Sequence, residues 1–246
     1  MLETILIVPC YNEARRFQPP LFIDFVDRHP DCGFLLVNDG SRDQTRDLLQ
    51  QVAAARPKSC FALSLERNQG KAEAVRQGML AAREHKPAFA GFWDADLATP
   101  LDTVPEFIAL LKQRPELRLV MGSRVRLLGR QVERRASRHY VGRCLATIIS
   151  LILGLPVYDT QCGAKLFRCD HAWEQAFAEP FISRWLFDVE ILARYQQAAR
   201  KALLPPLERC IYESPLQTWH EIGQSHLGLK DGPRVLLALA RIWWTY

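Results

Sequence analysis

Five short, uninterrupted apolar runs punctuate the first half of the chain, and each closes on a polar cluster. The runs are Thr4 to Pro9 around Ile5-Leu6-Ile7-Val8, then Phe34 to Val37, Phe61 to Leu65, Phe89 to Trp93 and Leu117 to Met121. The clusters are Tyr11-Asn12-Glu13, Asn38-Asp39-Gly40, Asn68-Gln69-Gly70-Lys71, Asp94-Ala95-Asp96 and Gly122-Ser123-Arg124. Between them lie segments of helical periodicity. One is Ser41 to Arg56, with Leu48, Leu49, Val52 and Ala53 in phase and Ser41 or Asp43 placed to cap its start. The others are Ala72 to Arg83, with Val75, Met79 and Leu80 on one face, and Val104 to Leu111. Apolar strands separated by helices predict a mainly parallel sheet covered on both faces. In such sheets ligands bind beyond the carboxyl ends of the strands, where all five clusters fall. The second half predicts helices at Ala136 to Leu153 and Phe187 to Gln197 and a strand at Cys210 to Ser214.

Composition narrows the class. A chain of 246 residues, 48% hydrophobic and 24% charged, is an ordinary globular protein with a sizeable core. The net charge of +5 is unevenly spread. Arg124, Arg126, Arg130, Arg134, Arg135, Arg138 and Arg143 face a single acid, Glu133. Such a cluster fits a phosphate-bearing partner, or equally a solvated helix face. No interleaved aromatic platform accompanies it, so nucleic acid is not expected. The seven cysteines form no C-x-x-C pair and read as free thiols of a reducing cytosol, not as a zinc site. No leader is expected, because the N-terminus runs directly into a core strand. The apolar runs Leu145 to Pro156 and Val235 to Tyr246 are too short to span a bilayer, although either can lie on one.

Asp94 and Asp96 carry the sharpest chemistry. Two residues apart in an extended segment, their carboxylates share a side and repel unless a cation intervenes. Mg²⁺ or Mn²⁺ shared with a diphosphate suits them, and such a metal would neutralise a departing nucleoside diphosphate. Asp39 reads either as part of a strand-ending turn or as an acceptor for a nucleobase or ribose. Gly70 and Lys71 open a helix, which attracts phosphate, yet the Walker spacing is missing, which argues against an ATPase or kinase.

Together with Pro9-Cys10-Tyr11-Asn12-Glu13, these clusters resemble the family 2 glycosyltransferases of the GT-A fold, a Rossmann-like, mainly parallel mixed α/β sheet flanked by helices. Asp159-Thr160-Gln161-Cys162-Gly163-Ala164-Lys165-Leu166-Phe167, Arg184-Trp185-Leu186-Phe187-Asp188-Val189-Glu190 and Trp219-His220-Glu221-Ile222 are similar to the dolichyl-phosphate (polyprenyl-phosphate) glucosyltransferases and mannosyltransferases. The resemblance spans nearly the whole chain and implies one domain over 1–246. Residues 1–125 would form its nucleotide-binding half, and 126–246 its acceptor half with interfacial helices. It implies that Pro9, Tyr11, Glu13 and Asp39 line the base and ribose. Lys71, Asp94, Ala95 and Asp96 would complete the donor site, with Asp94 and Asp96 as metal ligands. Arg124, Arg134, Arg135 and Arg138 would receive the lipid phosphate. Gln161 and Lys165 would lie near the sugar or acceptor, and Asp188 and Glu190 would line the sugar pocket, although on one helix they cannot both point the same way. The catalytic set so implied is Asp96, Arg124, Gln161, Lys165 and Asp188.

Two departures stand out. Relatives often carry Gly-x-Ser-Lys where this chain has Gly223-Gln224-Ser225-His226, and Gly or Gln where it has Leu97. The expected reaction moves a hexose, with glucose favoured, from a UDP- or GDP-sugar to a polyprenyl phosphate with inversion. It would take place on the cytoplasmic face of the membrane, with the protein bound peripherally. The acceptor oxygen is already ionised, so no strong base is required. Two alternatives are a glycan hydroxyl acceptor, with Asp188 or Glu190 as base, and a sugar-nucleotide-binding protein without turnover. Oligomeric state is left open by the sequence.

Overall fold

A computed structural model describes residues 2–125, 127–132, 136–220 and 232–246, and of 136–141 and 233 the backbone alone. In chain order the elements are β1 (Thr4–Cys10), α1 (Pro19–Arg28), β2 (Cys32–Asp39), α2 (Thr45–Ala55), β3 (Cys60–Leu65), α3 (Lys71–Ala82), β4 (Phe89–Trp93) and α4 (Val104–Gln113). There follow β5 (Leu119–Ser123), β6 (Gln131–Val132), α5 (Ala136–Leu153), β7 (Ala164–Arg168), α6 (His171–Ala178) and α7 (Phe187–Arg200). The last are α8 (Leu207–Cys210), β8 (Ile211–Pro215), β9 (Thr218–Trp219) and α9 (Gly232–Thr245). They group into two compact units. The first holds Met1–Leu97 with Gly163–Pro180, the second Ala98–Cys162 with Phe181–Tyr246.

The first unit is a mixed sheet in the order β3-β2-β1-β4-β7. The first four strands are parallel, and β7 runs antiparallel to β4. Ile5, Leu6, Ile7 and Val8 are fully buried, as a strand covered on both faces requires. Each such side chain contributes about 1.5–3 kcal/mol on burial. β3, at the sheet's edge, instead alternates between more and less buried positions. Helix α1 begins on Pro19-Pro20, where a missing N–H costs nothing, and buries Phe22 and Phe25 against Phe34.

The second unit pairs β5 with β8 and β6 with β9, all parallel. Helix α5 contacts α7 and α9. Its bounds are those its periodicity predicts, and α7 runs one turn beyond the expected Gln197. Among the described residues no helix is long and apolar enough to cross a membrane.

Two local expectations are corrected. Helix α2 starts at Thr45, so Ser41 does not cap it; the Ser41 hydroxyl accepts the Asn12 N–H instead, at 3.0 Å. Asp43 serves the start of α2, accepting the Thr45 N–H and hydroxyl at 3.0 and 2.5 Å. The fifth apolar run forms a strand from Leu119 to Ser123, so Gly122 and Ser123 belong to β5 and not to a loop beyond it.

Candidate functional site

Four of the five polar clusters lie in the first unit, at the carboxyl ends of β1, β2, β3 and β4. Hydrogen bonds join the first three of them. Arg42 donates its N–H to Asn12 Oδ1 at 2.9 Å, and Glu13 donates to Thr45 Oγ1 at 2.8 Å, fixing the loop after β1 to that after β2. Asp39, buried at the end of β2, accepts the Gln69 and Gly70 N–H groups at 2.7 and 2.8 Å and the Asn68 amide at 2.9 Å. Its carboxylate therefore braces the loop that opens α3, a task its sequence context did not disclose. Gly40 permits the approach: its φ is +63°, and a Cβ there would lie 2.4 Å from the Arg67 carbonyl carbon.

The start of α3 reaches the fourth cluster. Lys71 Nζ donates to Asp94 Oδ1 at 2.5 Å, and both side chains remain partly exposed. Asp94 leaves β4 in a tight turn, with Leu97 N–H donating to the Asp94 carbonyl at 3.1 Å. Leu97 takes φ +52°, a left-handed value that suits glycine, at the very position where the resembled family often has one. Ala95 is buried. Glu13, which accepts from Arg16 Nε and Nη2 along one guanidinium edge at 2.8 and 2.6 Å, has its pKa raised. Burial is the main cause, opposed by Arg16 and reinforced by the negative charges of Asp96 and Asp94. Three carboxylates thus share one electrostatic neighbourhood. Pro9 ends the buried run of β1 half-covered, and Tyr11 is 42% exposed.

Strand β7 supplies two features that sequence reasoning underrated. The Gly163 carbonyl, just before it, accepts the Asp94 N–H at 3.0 Å, and a Cβ on Gly163 would sit 1.8 Å from Asp94 Oδ2. The backbone of residue 163 is therefore one wall of the Asp94 carboxylate site. Lys165, directly across the ladder from Phe92, is fully buried, with Nζ 5.1 Å from the Phe92 ring centre. Lys71 Nζ lies 6.0 Å from the same ring. The first unit thus brings two lysines of the expected set to one aromatic side chain.

The remaining expected residues are in the second unit. Arg124 is clasped by Asp159, which accepts from its backbone N–H at 2.9 Å, from Nε at 2.6 Å and from Nη2 at 2.7 Å. The guanidinium also lies 5.4 Å from the Trp219 ring centre. Glu213 on β8 in turn accepts the Tyr158 and Asp159 N–H groups at 2.8 and 2.7 Å. Gln161 Nε2 and Ser123 Oγ are buried atoms with no hydrogen-bond partner among the described residues. Orphaned donors of this kind are what a polar ligand satisfies. Asp188 and Glu190 both lie in the first turn of α7 and are both buried. Glu190 accepts from Arg194 at 2.7 Å, from the Tyr246 hydroxyl at 3.1 Å and from the Ile182 N–H at 2.8 Å, and so is consumed by a structural network. Arg134, Arg135 and His226 lie outside the described residues, as does the side chain of Arg138.

Asp94 and Asp96 place two carboxylates on one turn after β4. Among the described residues no group of three or more His, Cys, Asp or Glu is arranged to hold a metal. That donor set fits a Mg²⁺ or Mn²⁺ ion that takes its other ligands from a diphosphate and water, a common arrangement for small divalent cations.

Residues 5–175 match the model of Glycosyl transferase family 2. A dolichyl-phosphate beta-glucosyltransferase of Drosophila melanogaster is 33% identical over 92% of this chain and 69% of its own. Another, of Trichomonas vaginalis, is 29% identical over 97% of this chain and 70% of its own. Among solved structures, glucosyl-3-phosphoglycerate synthase of Mycobacterium tuberculosis, in complex with Mn²⁺, UDP-glucose and phosphoglyceric acid, has a TM-score of 0.69 at 17% identity. It covers 99% of this chain and 80% of that one, a likeness that shows the GT-A fold expected from the sequence. The chain belongs to glycosyl transferase family 2.

Proposed function

We propose that this glycosyltransferase moves glucose, with inversion, from a nucleoside diphosphate sugar to a polyprenyl phosphate at a membrane surface. The supporting observation for the donor is the chain of contacts in the first unit, from Asn12 through Asp39 to Lys71 and Asp94, with Asp96 on the same turn. The acceptor and sugar rest on relatives named dolichyl-phosphate beta-glucosyltransferases that align over more than nine-tenths of this chain.

In this reading Pro9, Tyr11, Glu13 and Asp39 bound the nucleoside, and the amides braced by Asp39 fix the start of α3. Asp94 and Asp96 would hold the divalent cation, which when bound supplies Lewis-acid neutralisation of the leaving diphosphate. Lys71, now paired with Asp94, is placed to follow the same negative charge. The attacking phosphate oxygen is ionised at neutral pH, so the residues need only hold it in line. Arg124 and the arginines at 134, 135 and 138 are assigned to that phosphate, and Gln161, Lys165 and Asp188 to the sugar and its acceptor. The commitment of Glu190 to Arg194 and Tyr246 removes one of the two candidates for the base that a glycan hydroxyl would need. This favours the phosphate acceptor.

The test is a screen of UDP- and GDP-sugars carrying radiolabel, with a short polyprenyl phosphate and Mn²⁺. Label entering the lipid extract from a glucose donor is the expected result. Label confined to water-soluble product would overturn the acceptor assignment, and loss of transfer in Asp96→Ala excludes a binding protein without turnover.

A further inference from the structure

Strand β8 lies beside β5, with Met121 opposite Glu213 and Ser123 opposite Pro215. At the end of the ladder the Leu216 N–H donates to the Ser123 carbonyl at 3.0 Å, so Arg124 departs from a fixed backbone. Glu213 reaches the same arginine by a second route. Its two carboxylate oxygens accept the N–H groups of Tyr158 and Asp159, at 2.8 and 2.7 Å. The Asp159 carboxylate accepts in turn from the backbone N–H, Nε and Nη2 of Arg124. The contacts close a ring that runs from β5 through Arg124, Asp159 and Glu213 to β8 and back. The Arg143 guanidinium, 3.5 Å from the Tyr158 ring centre, seats the same dipeptide on α5.

Ladder hydrogen bonds already join β5 to β8, so what the ring adds is a fixed loop and a fixed guanidinium. Both side chains of the Arg124–Asp159 pair are sheltered, which lets its bidentate geometry hold against water. With the Nε–Nη2 edge given to Asp159, the Nη1 corner is turned away from that carboxylate. Ser123 precedes Arg124, and Gln161 follows Asp159 by two residues. The buried Ser123 Oγ and Gln161 Nε2 have no partner among the described residues. Orphaned polar atoms beside an oriented guanidinium match an oxygen-rich anion. We infer that Glu213 is a positioning residue of the acceptor site: by fixing residues 158 and 159 it sets the direction in which Asp159 holds Arg124 toward the acceptor phosphate. Asp159 partly cancels the charge of Arg124, so the arginine contributes direction more than field, and direction is what a shifted loop loses. The inference rests on the polyprenyl phosphate reading above and adds to it a residue that acts without touching the substrate.

The experiment uses the full chain with Mn²⁺, a radiolabelled glucose nucleotide and a detergent-solubilised short polyprenyl phosphate. Glu213→Gln keeps the shape but offers one acceptor oxygen to two N–H groups, and should raise the KM for the lipid phosphate about tenfold with the KM for the sugar nucleotide unchanged. Glu213→Ala should raise it further. A purely structural role predicts something else: fewer active molecules, hence a lower kcat with both KM values intact. The second readout is a double-mutant cycle. Because Glu213 acts through Arg124, adding Glu213→Gln to Arg124→Ala should change the lipid KM by less than about twofold. Effects that multiply in the double variant overturn the inference, as does a loss confined to kcat. Failure of Glu213→Gln to fold would show that the carboxylate serves the fold first, and overturns it equally. The wild type separates this inference from the reading beneath it. If wild type glycosylates the lipid and Glu213→Gln leaves its KM unmoved, only the role of Glu213 falls. If wild type leaves the lipid unglycosylated, the acceptor reading falls and takes this inference with it.

Discussion

At residue 163 the chain passes so close to Asp94 that only a hydrogen fits where a side chain would be. In Gly163→Ala the carboxylate must move, because the alternative is to displace a backbone that also accepts the Asp94 N–H. Asp94 is partly exposed, so the motion is sterically open and the fold should tolerate it. The expected result is a thermal midpoint close to wild type and a kcat/KM for the sugar nucleotide down about 100-fold, the scale of a roughly 1 Å misplacement in a positioned site. The Mn²⁺ concentration needed for half-activity should rise in parallel. Kinetics unchanged in this variant would show that the carboxylate position is immaterial. Nothing in the sequence disclosed this contact, because Gly163 and Asp94 are far apart along the chain. Glu13 gives a second residue-scale test. Its raised pKa means that the folded state holds its proton at pH values where the unfolded chain has lost it. Stability due to this group is full below the ordinary glutamate pKa and falls as pH rises through the raised one. The stability of Glu13→Gln relative to wild type, from urea unfolding at a series of pH values, should therefore increase across that window. A flat or falling difference contradicts the assignment.

Elements whose signal was an apolar run or a 3.6 period were legible, because burial of a continuous face is what both patterns report. Strand β7 was not, since a fully buried Lys165 in a five-residue strand reads as a polar turn. Helix α1 went unremarked although Pro19-Pro20 and the spacing of Phe22, Phe25 and Val26 announce it. The partner of Glu190 was equally hidden. The four-residue spacing to Arg194 is visible, but the Tyr246 hydroxyl, which accepts from Arg194 Nε at 3.0 Å, comes from another helix end. This network ties α7 to the end of α9 and to the segment before α7, since Ile182 also donates to Glu190. Tyr246→Phe removes two hydrogen bonds to charged groups and should cost about 2–3 kcal/mol. Arg194→Met leaves Glu190 buried without its cation and should cost more, about 3–5 kcal/mol. Chemical denaturation gives the order, and an equal or inverted pair would mean that the Arg194 cation is not what compensates Glu190.

At the scale of the whole molecule, parallel strands with polar residues at their carboxyl ends were enough to foresee which clusters fall together, and four of the five share one unit. The residues proposed for the acceptor were less legible, because they lie on irregular segments and on a helix whose roles depend on contacts such as Arg124 with Asp159. What the chain offers a metal also follows from this distribution. Two aspartates on one turn, one of them already paired with Lys71, make an incomplete coordination sphere. An ion held so sparingly should bind weakly alone and tightly once a diphosphate supplies oxygen ligands and draws Lys71 toward itself. Linkage makes the effect reciprocal: the factor by which a nucleoside diphosphate raises Mn²⁺ affinity equals the factor by which Mn²⁺ raises nucleotide affinity. Titration calorimetry of the metal-stripped chain, with Mn²⁺ alone, nucleotide alone and each in the presence of the other, should return one coupling factor of at least about tenfold, or about 1.4 kcal/mol. Asp96→Asn should collapse that factor toward unity while leaving nucleotide binding in the absence of metal nearly unchanged. Tight Mn²⁺ binding without nucleotide would instead require a third protein ligand, and would place it among the residues that Asp94 and Asp96 do not reach on their own turn.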